Sequence, residues 1–268
     1  MCLVALAYRL HPRWPLVLIA NRDEAHARAS AAAGSDPDAA DVFGGRDLVA
    51  GGSWLQVSTR GRLAAVTNVR RGLAPDNAPR SRGWLVRDFV RGEATAPGFA
   101  DALQATADDY GRFNLLLWDG DDLAFASNTP EPVAMPVAPG LHAMSNGAFD
   151  AHWPKSMHAT RALSAWLEAT PSQVDVTSPT FVEPLFAALA DRSTAADARL
   201  PDTGIGLALE RRLSPAFIRD PVYGTRCSTV VLADGHALVF AERRFGPDGV
   251  PAGDTWRVLP RTAAVAGR

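Results

Sequence analysis

Apolar residues recur along this chain in two rhythms, and the switches between them mark out its elements. Cys2–Leu10 and Leu16–Asn21 are short, β-prone apolar runs, and the Pro12–Pro15 punctuation between them predicts a hairpin. If the second strand continues, period-two alternation puts Asn21 and Asp23 on one face and Arg22 on the other. A stretch rich in Ala, Asp and Gly then reads as a loop. Gly51-Gly52-Ser53 opens a short strand to Ser58, Gly61 turns the chain, and Leu63–Asn68 runs back as a second hairpin.

Helical spacing follows. Trp84, Leu85 and Phe89 share a face over Ser81–Arg91, with Ser81 as cap and Gly92 as stop, and Pro97–Asp109 predicts a second helix. Phe113–Trp118 and Leu123–Ser127 are strands joined across Asp119-Gly120, a two-residue hairpin signal, and Val133–Val137 and Leu141–Ser145 continue that sheet. Lys155–Ala169, Thr180–Ala190 and Leu207–Leu213 are predicted helices. Ser228–Ala233 and Ala237–Arg243 form a hairpin across Asp234-Gly235, and Trp256–Leu259 adds a last strand. Hairpins flanking paired helices mean an α+β protein of antiparallel sheets covered by helices, and the lack of strand–helix–strand alternation argues against a doubly wound parallel sheet. There is no internal repeat and no long Pro/Ser linker, so residues 1–268 are expected to form one domain.

Composition narrows the partners. Hydrophobic residues make up 47% of the chain, enough for a sizeable core, and the formal net charge is −2. No global field draws such a chain to nucleic acid or to an anionic membrane, so its partner is expected to be a small molecule. Lys155 is the only lysine among 27 basic residues, a bias that reads as codon usage. Two cysteines, Cys2 and Cys227, are too few for a disulfide framework and point to a reducing, cytoplasmic setting. Arg9, His11 and Arg13 interrupt the opening apolar run, which therefore fits neither a signal peptide nor a membrane span.

Chemistry begins at Cys2. Removal of Met1 would make Cys2 both a thiol nucleophile and the chain's α-amine, which titrates at about 7.7–8.0 and is a competent base for the adjacent thiol. Polar clusters stand at the ends of apolar strands: Asn21–Glu24, Thr67-Asn68, Ser145-Asn146-Gly147 and Gly224–Ser228. Singly these are turn and cap formers. Together they offer asparagine amides for a developing oxyanion, Asp23 to orient the amine, and Arg22 or Arg226 to hold a substrate carboxylate or phosphate. Trp54, between the glycine pair and the Asn68 strand, is placed to wall a pocket. The six histidines show no metal-ligand spacing, and the Gly44-Gly45 and Gly51-Gly52 pairs lack the Lys-Ser/Thr of a phosphate loop.

These residues resemble a known family. Met1-Cys2, Asn21-Arg22-Asp23-Glu24, Gly45-Arg46-Asp47-Leu48, Ala50-Gly51-Gly52-Ser53-Trp54-Leu55 and Thr67-Asn68-Val69-Arg70 are similar to the NRDE family, also called the transport and Golgi organisation protein 2 family. Leu141…Ser145-Asn146, Trp153-Pro154-Lys155 and Tyr223-Gly224-Thr225-Arg226-Cys227-Ser228-Thr229 match its downstream blocks, with Cys227 where serine is more usual. That family in turn looks like the cysteine branch of the N-terminal nucleophile hydrolases, which implies a four-layer αββα sandwich with Cys2 at the centre of the site. The resemblance carries over Cys2, Asp23, Asn68 and Asn146 as catalytic residues and Arg226 as a substrate-binding one, while Asn21, Arg22 and Trp54 are expected to bind substrate from their own positions at strand ends and beside the glycine pair. The branch has Arg-x-x-Asp after its second strand, whereas here Ala20 stands in the arginine's place and Arg22 adjoins Asp23. An amidohydrolase or acyltransferase acting on a small acyl amide or thioester, without metal or organic cofactor, is one implied activity. A non-catalytic binding or trafficking protein for haem, acyl-CoA or another lipid is the other.

Overall fold

The computed structural model describes residues 2–73, 76–176 and 178–262, with the backbone alone for Cys2. Strand β1 (Cys2–Tyr8) and β2 (Leu16–Ala25) form the expected first hairpin, with Cys2 registered opposite Arg22 and Tyr8 opposite Leu16. They sit inside a six-stranded antiparallel sheet with β10 (Gly140–Met144), β11 (Tyr223–Ala233), β12 (Ala237–Phe245) and β13 (Pro251–Pro260), in the order β10-β1-β2-β11-β12-β13. A second antiparallel sheet runs β3 (Ser30–Asp36), β4 (Ala39–Asp47), β5 (Leu55–Ser58), β6 (Arg62–Asn68), β7 (Phe113–Trp118), β8 (Leu123–Ser127), β9 (Val133–Pro136) in sequence order.

Alternation explains the layers. In β1 and β2, Val4, Leu6, Leu16 and Leu18 meet Val57, Leu63 and Leu116 of the other sheet, while Leu3, Ala5, Val17 and Ile19 meet α3 (Pro154–Ala169) and α4 (Glu183–Leu189). The outer face of the seven-stranded sheet buries Ala64, Leu115 and Leu117 against α1 (Arg82–Arg91) and α2 (Ala96–Leu103). The result is a four-layer αββα sandwich. Strands buried on both faces need continuous apolar runs, which is why β7 reads Phe-Asn-Leu-Leu-Leu-Trp.

Four expectations need correction. The Ala/Asp/Gly stretch after β2 is no loop: it forms β3 and β4, whose small residues have weak strand propensity and are held by pairing to β5 and by the Glu242 carboxylate, which accepts from the Ala33 amide at 2.8 Å. β10 does not extend the β7–β9 meander but crosses to pair with β1. The crossing is fixed by Thr67 Oγ1 donating to the Ser145 carbonyl at 2.6 Å and Asn114 Nδ2 donating to the Gly147 carbonyl at 2.7 Å. The Asp119-Gly120 turn is a four-residue connection, Trp118 pairing with Leu123, because Asp119 Oδ1 accepts from the amides of Asp121 and Asp122. Helix α2 stops at Leu103 and continues as a 3₁₀ segment over Gln104–Asp109. The Ser81 cap and Gly92 stop of α1 stand as expected, Ser81 accepting from the Gly83 amide.

Candidate active site

The site is built around an irregularity in the pairing of β2 with β11. Asp23 pairs with Thr225 and Arg22 with Cys227, so Arg226 is the extra residue of a β-bulge. Without that insertion Thr225 and Cys227 would share a face; with it, Thr225 joins Asp23 on the helix side and Cys227 joins Arg22 between the sheets. Thr225 Oγ1 donates to Asp23 Oδ1 at 2.6 Å and itself accepts from the Ile218 amide at 2.9 Å, which fixes the direction of the hydroxyl proton. Asp23 is fully buried. Burial pushes its carboxyl above the usual range, and the charge of Lys155, first on the opposing side, pulls it back.

Arg22 and Asn68 stand with Asp23 at the wall of a cleft of about 430 Å³. The Arg22 guanidinium lies 4.3 Å from the Trp54 ring centroid and 3.8 Å from Glu24, so its charge is stacked on one side and loosely paired on the other. Trp54 fits there because residue 45 is glycine: a Cβ at Gly45 would lie 2.1 Å from Trp54 Cζ2. Gly52, at φ +77°, lets the β4–β5 connection press onto α1, since a Cβ there would lie 2.3 Å from the Gly83 carbonyl. Arg28 clamps Asp47 across the mouth at 2.7 Å. The Asn68 side chain, at the end of β6, makes no hydrogen bond to another described residue and borders the cleft.

The other expected residues lie elsewhere. Asn21 is 1% exposed and does not border the cleft: its Nδ2 donates to the carbonyls of Leu189 at 2.8 Å and Ala216 at 2.7 Å, and its Oδ1 accepts from Ser228 at 2.6 Å. It ties β2 to α4. Asn146 is 2% exposed; its Nδ2 donates to the Asn68 carbonyl at 2.8 Å, and the Arg70 amide donates to its own carbonyl at 2.8 Å, so it holds the end of β6. Arg226 spends Nη1 on the carbonyls of Ala25, His26 and Arg28 and borders a second, smaller cavity. The backbone of Cys2 is one register step from Asp23, while its side chain and Met1 lie outside the described residues. Asn21 and Asp23 do share a face, with Arg22 turned the other way, as alternation requires.

Three residues carry more than their sequence context suggests. Lys155 is 4% exposed near the start of α3, and its Nζ donates to the Leu213 carbonyl at 3.3 Å. Its signal was its singularity: one lysine retained where arginine is otherwise used throughout. Thr225 supplies the bond that orients Asp23. Glu242 is 1% exposed on β12, where it opens the charged run Glu242-Arg243-Arg244 that gives no sign of burial in the sequence. Among the described residues no group of three or more His, Cys, Asp or Glu is placed to hold a metal ion, and no helix is long and apolar enough to cross a membrane.

Comparison with known proteins accords with this architecture. The family model described as "Transport and Golgi organisation 2" matches residues 1–247. The chain is 32% identical to the Bos taurus protein "Transport and Golgi organization protein 2 homolog" over 264 residues, covering 91% of this chain and 92% of that one. The Homo sapiens homolog is likewise 32% identical, over 269 residues, with the same coverage. Among solved structures, the Caenorhabditis elegans ortholog of N-acylethanolamine-hydrolyzing acid amidase superposes with a TM-score of 0.50 at 11% identity, covering 86% of this chain and 92% of that one. That likeness is one of fold, the N-terminal nucleophile hydrolase fold.

Proposed function

The chain belongs to the Transport and Golgi organisation 2 family, and from that starting point we propose that it is an N-terminal cysteine amidohydrolase or acyltransferase acting on a small acyl amide or thioester. The observation that carries the reading is Asp23: a fully buried carboxyl, oriented by Thr225 and balanced by Lys155, one register step from the backbone of Cys2 and on the wall of the cleft. A buried carboxyl is costly to a fold, and such groups concentrate at functional sites.

In this reading removal of Met1 exposes the Cys2 α-amine. The amine takes the thiol proton, the thiolate attacks the acyl carbon, and a C–S bond forms. Collapse breaks the C–N or thioester bond, and the departing amine or thiol takes the proton from the ammonium. Water or a second nucleophile then releases the acyl group from Cys2. The Asn68 amide, uncommitted at the cleft, donates to the oxyanion. Asn146 acts through Asn68, whose carbonyl it holds. Asp23 orients the ammonium, and the Trp54-stacked Arg22 faces the substrate's polar end. Residues 1–268 act as one domain, because both sheets contribute to a shared apolar layer.

The test begins with the intact mass of protein expressed without an N-terminal tag, which should lack Met1. Incubation with a panel of acyl amides and thioesters should then add an acyl mass to Cys2 and release amine or thiol, and Cys2→Ala should abolish both while leaving substrate binding nearly intact. Asn68→Ala should lower kcat by roughly 10²–10³. Quantitative retention of Met1, or stoichiometric binding of haem or acyl-CoA with no acyl adduct across the panel, would replace the hydrolase with a carrier.

A further inference from the structure

Sharing Arg22 and Trp54 with the main cleft is a second cavity of about 90 Å³, bordered also by Arg226, Cys227, Glu242 and Arg244. Its polar groups are poorly matched to one another. Arg22 Nη1, Arg226 Nε, Arg244 Nε and Glu242 Oε2 are all buried without a hydrogen-bond partner. Arg22 is 6% exposed and Glu242 1%, so bulk water does not satisfy them. Among the described residues neither Arg226 nor Arg244 lies within 4.0 Å of a carboxylate oxygen, and Arg22 reaches Glu24 only at 3.8 Å. Glu242, the one acid on the cavity, has one oxygen committed to the Ala33 amide and also meets the Cys227 thiol, and burial, the largest influence, pushes its carboxyl up toward the neutral form. Burial also opposes the charge on Arg226, as does the neighbouring charge of Arg22.

Three guanidinium groups around one small cavity, with a single carboxyl among them, leave an excess of positive charge and of unused donors. Left without a counter-charge, this is an expensive arrangement. The space holds about three waters at their liquid share of about 30 Å³ each, which is also room for a small oxyanion. The bulge at Arg226 is what creates the arrangement, since it admits the arginine without displacing Cys227 from the inter-sheet face.

We propose that this cavity is a binding site for a small oxyanion, a carboxylate or a tetrahedral anion, held by Arg22, Arg226 and Arg244. Glu242 in its protonated form donates the remaining hydrogen bond. The site shares Arg22 and Trp54 with the main cleft, so an anion bound here fixes the wall against which a cleft ligand rests. The proposal concerns binding alone and stands apart from turnover at Cys2.

Sulfate, phosphate and acetate titrated into full-length Cys2→Ala protein test it, with sodium chloride at matched ionic strength as the control. In that protein Cys227 is the only thiol, so its modification by methyl methanethiosulfonate reports on the cavity. The expected result is a saturable rise in Tm beyond the chloride control, with Cys227 modification slowed in step with saturation. Arg244→Gln should weaken binding tenfold or more, and Glu242→Gln, which keeps a donor and cannot become an anion, should bind as tightly or more tightly. Binding of sulfate and phosphate without acetate assigns the site to a free inorganic ion, and binding of acetate assigns it to the carboxylate end of an organic ligand. No saturable effect beyond chloride, unchanged Cys227 modification at saturation, or equal weakening by Glu242→Gln and Arg244→Gln would overturn it. If Arg244→Gln does not fold, the undiminished binding expected of Glu242→Gln and the Cys227 protection still decide.

Discussion

Replacing Asn21 separates a residue that holds the site from one that touches a substrate. Its amide makes three buried hydrogen bonds, two donated to the carbonyls of Leu189 and Ala216 and one accepted from Ser228. Asn21→Ala removes all three and leaves two carbonyls and a hydroxyl without partners. At about 1 kcal/mol net per bond the loss is about 3 kcal/mol, a large share of the roughly 5–15 kcal/mol that stabilises a folded protein. With unfolding entropy of about 2.1 cal/mol/K per residue over 268 residues, the slope is about 0.6 kcal/mol per degree and the expected fall in Tm about 5 °C. Asn21→Asp keeps the size but loses both donors and sets a carboxylate against two carbonyls, so it should cost more than alanine. Urea denaturation followed by circular dichroism is the assay: the midpoint should move down at constant slope, in the order Asp below Ala below wild type. A midpoint for Asn21→Ala within about 0.5 kcal/mol of wild type, or an aspartate variant milder than alanine, would show that these bonds do not hold α4 to β2 and would return Asn21 to the ligand-binding residues.

Other expected outcomes follow from the same contacts. His142 Nδ1 faces Asp150 at 2.8 Å and Nε2 faces the Ala138 carbonyl at 2.9 Å, so both nitrogens meet acceptors and the doubly protonated ring is favoured; the Asp150 hydrogen bond is the main cause of its raised pKa. Its contribution to stability is therefore complete below the unfolded value of about 6.5 and is lost as pH rises through the higher folded value, so the Tm gap between wild type and His142→Gln should close as pH is raised. Gly45→Ala should destabilise by about 1–3 kcal/mol by driving a methyl into Trp54, and should shift the fluorescence of that ring; an unshifted spectrum and unchanged Tm would contradict the packing. Glu210→Ala strands the cation of Arg70, paired to it at 2.6 Å with Glu210 itself 3% exposed, and should cost about 3–5 kcal/mol by urea titration; a loss under 1 kcal/mol would place the pair in solvent.

The hydrophobic rhythm by itself determined most of the elements: the β1–β2 hairpin, the capped helix α1, the β7–β8 and β11–β12 pairs and helix α3 all follow from periodicity and from cap and turn residues. It also determined the faces of Asn21, Arg22 and Asp23, because alternation in a paired strand leaves no other choice. It did not determine β3 and β4, whose alanines, glycines and aspartates have little strand preference and become strands only when β5 offers an edge and Glu242 an acceptor. Nor did it determine that β10 leaves one sheet for the other, since that depends on Thr67 and Asn114 reaching carbonyls more than thirty residues away. The site divides in the same manner. Asp23, Asn68, Arg22 and Trp54 were legible as polar or aromatic groups at strand ends, and the fold brings them to one cleft. Asn21 and Asn146 look equally available in the sequence, and only their hydrogen bonds to distant carbonyls commit them to holding the frame. The burial of Lys155 and of Glu242 and the bulge at Arg226 belong to the tertiary structure, because a side chain's charge acquires its meaning from the burial and partners that other segments supply.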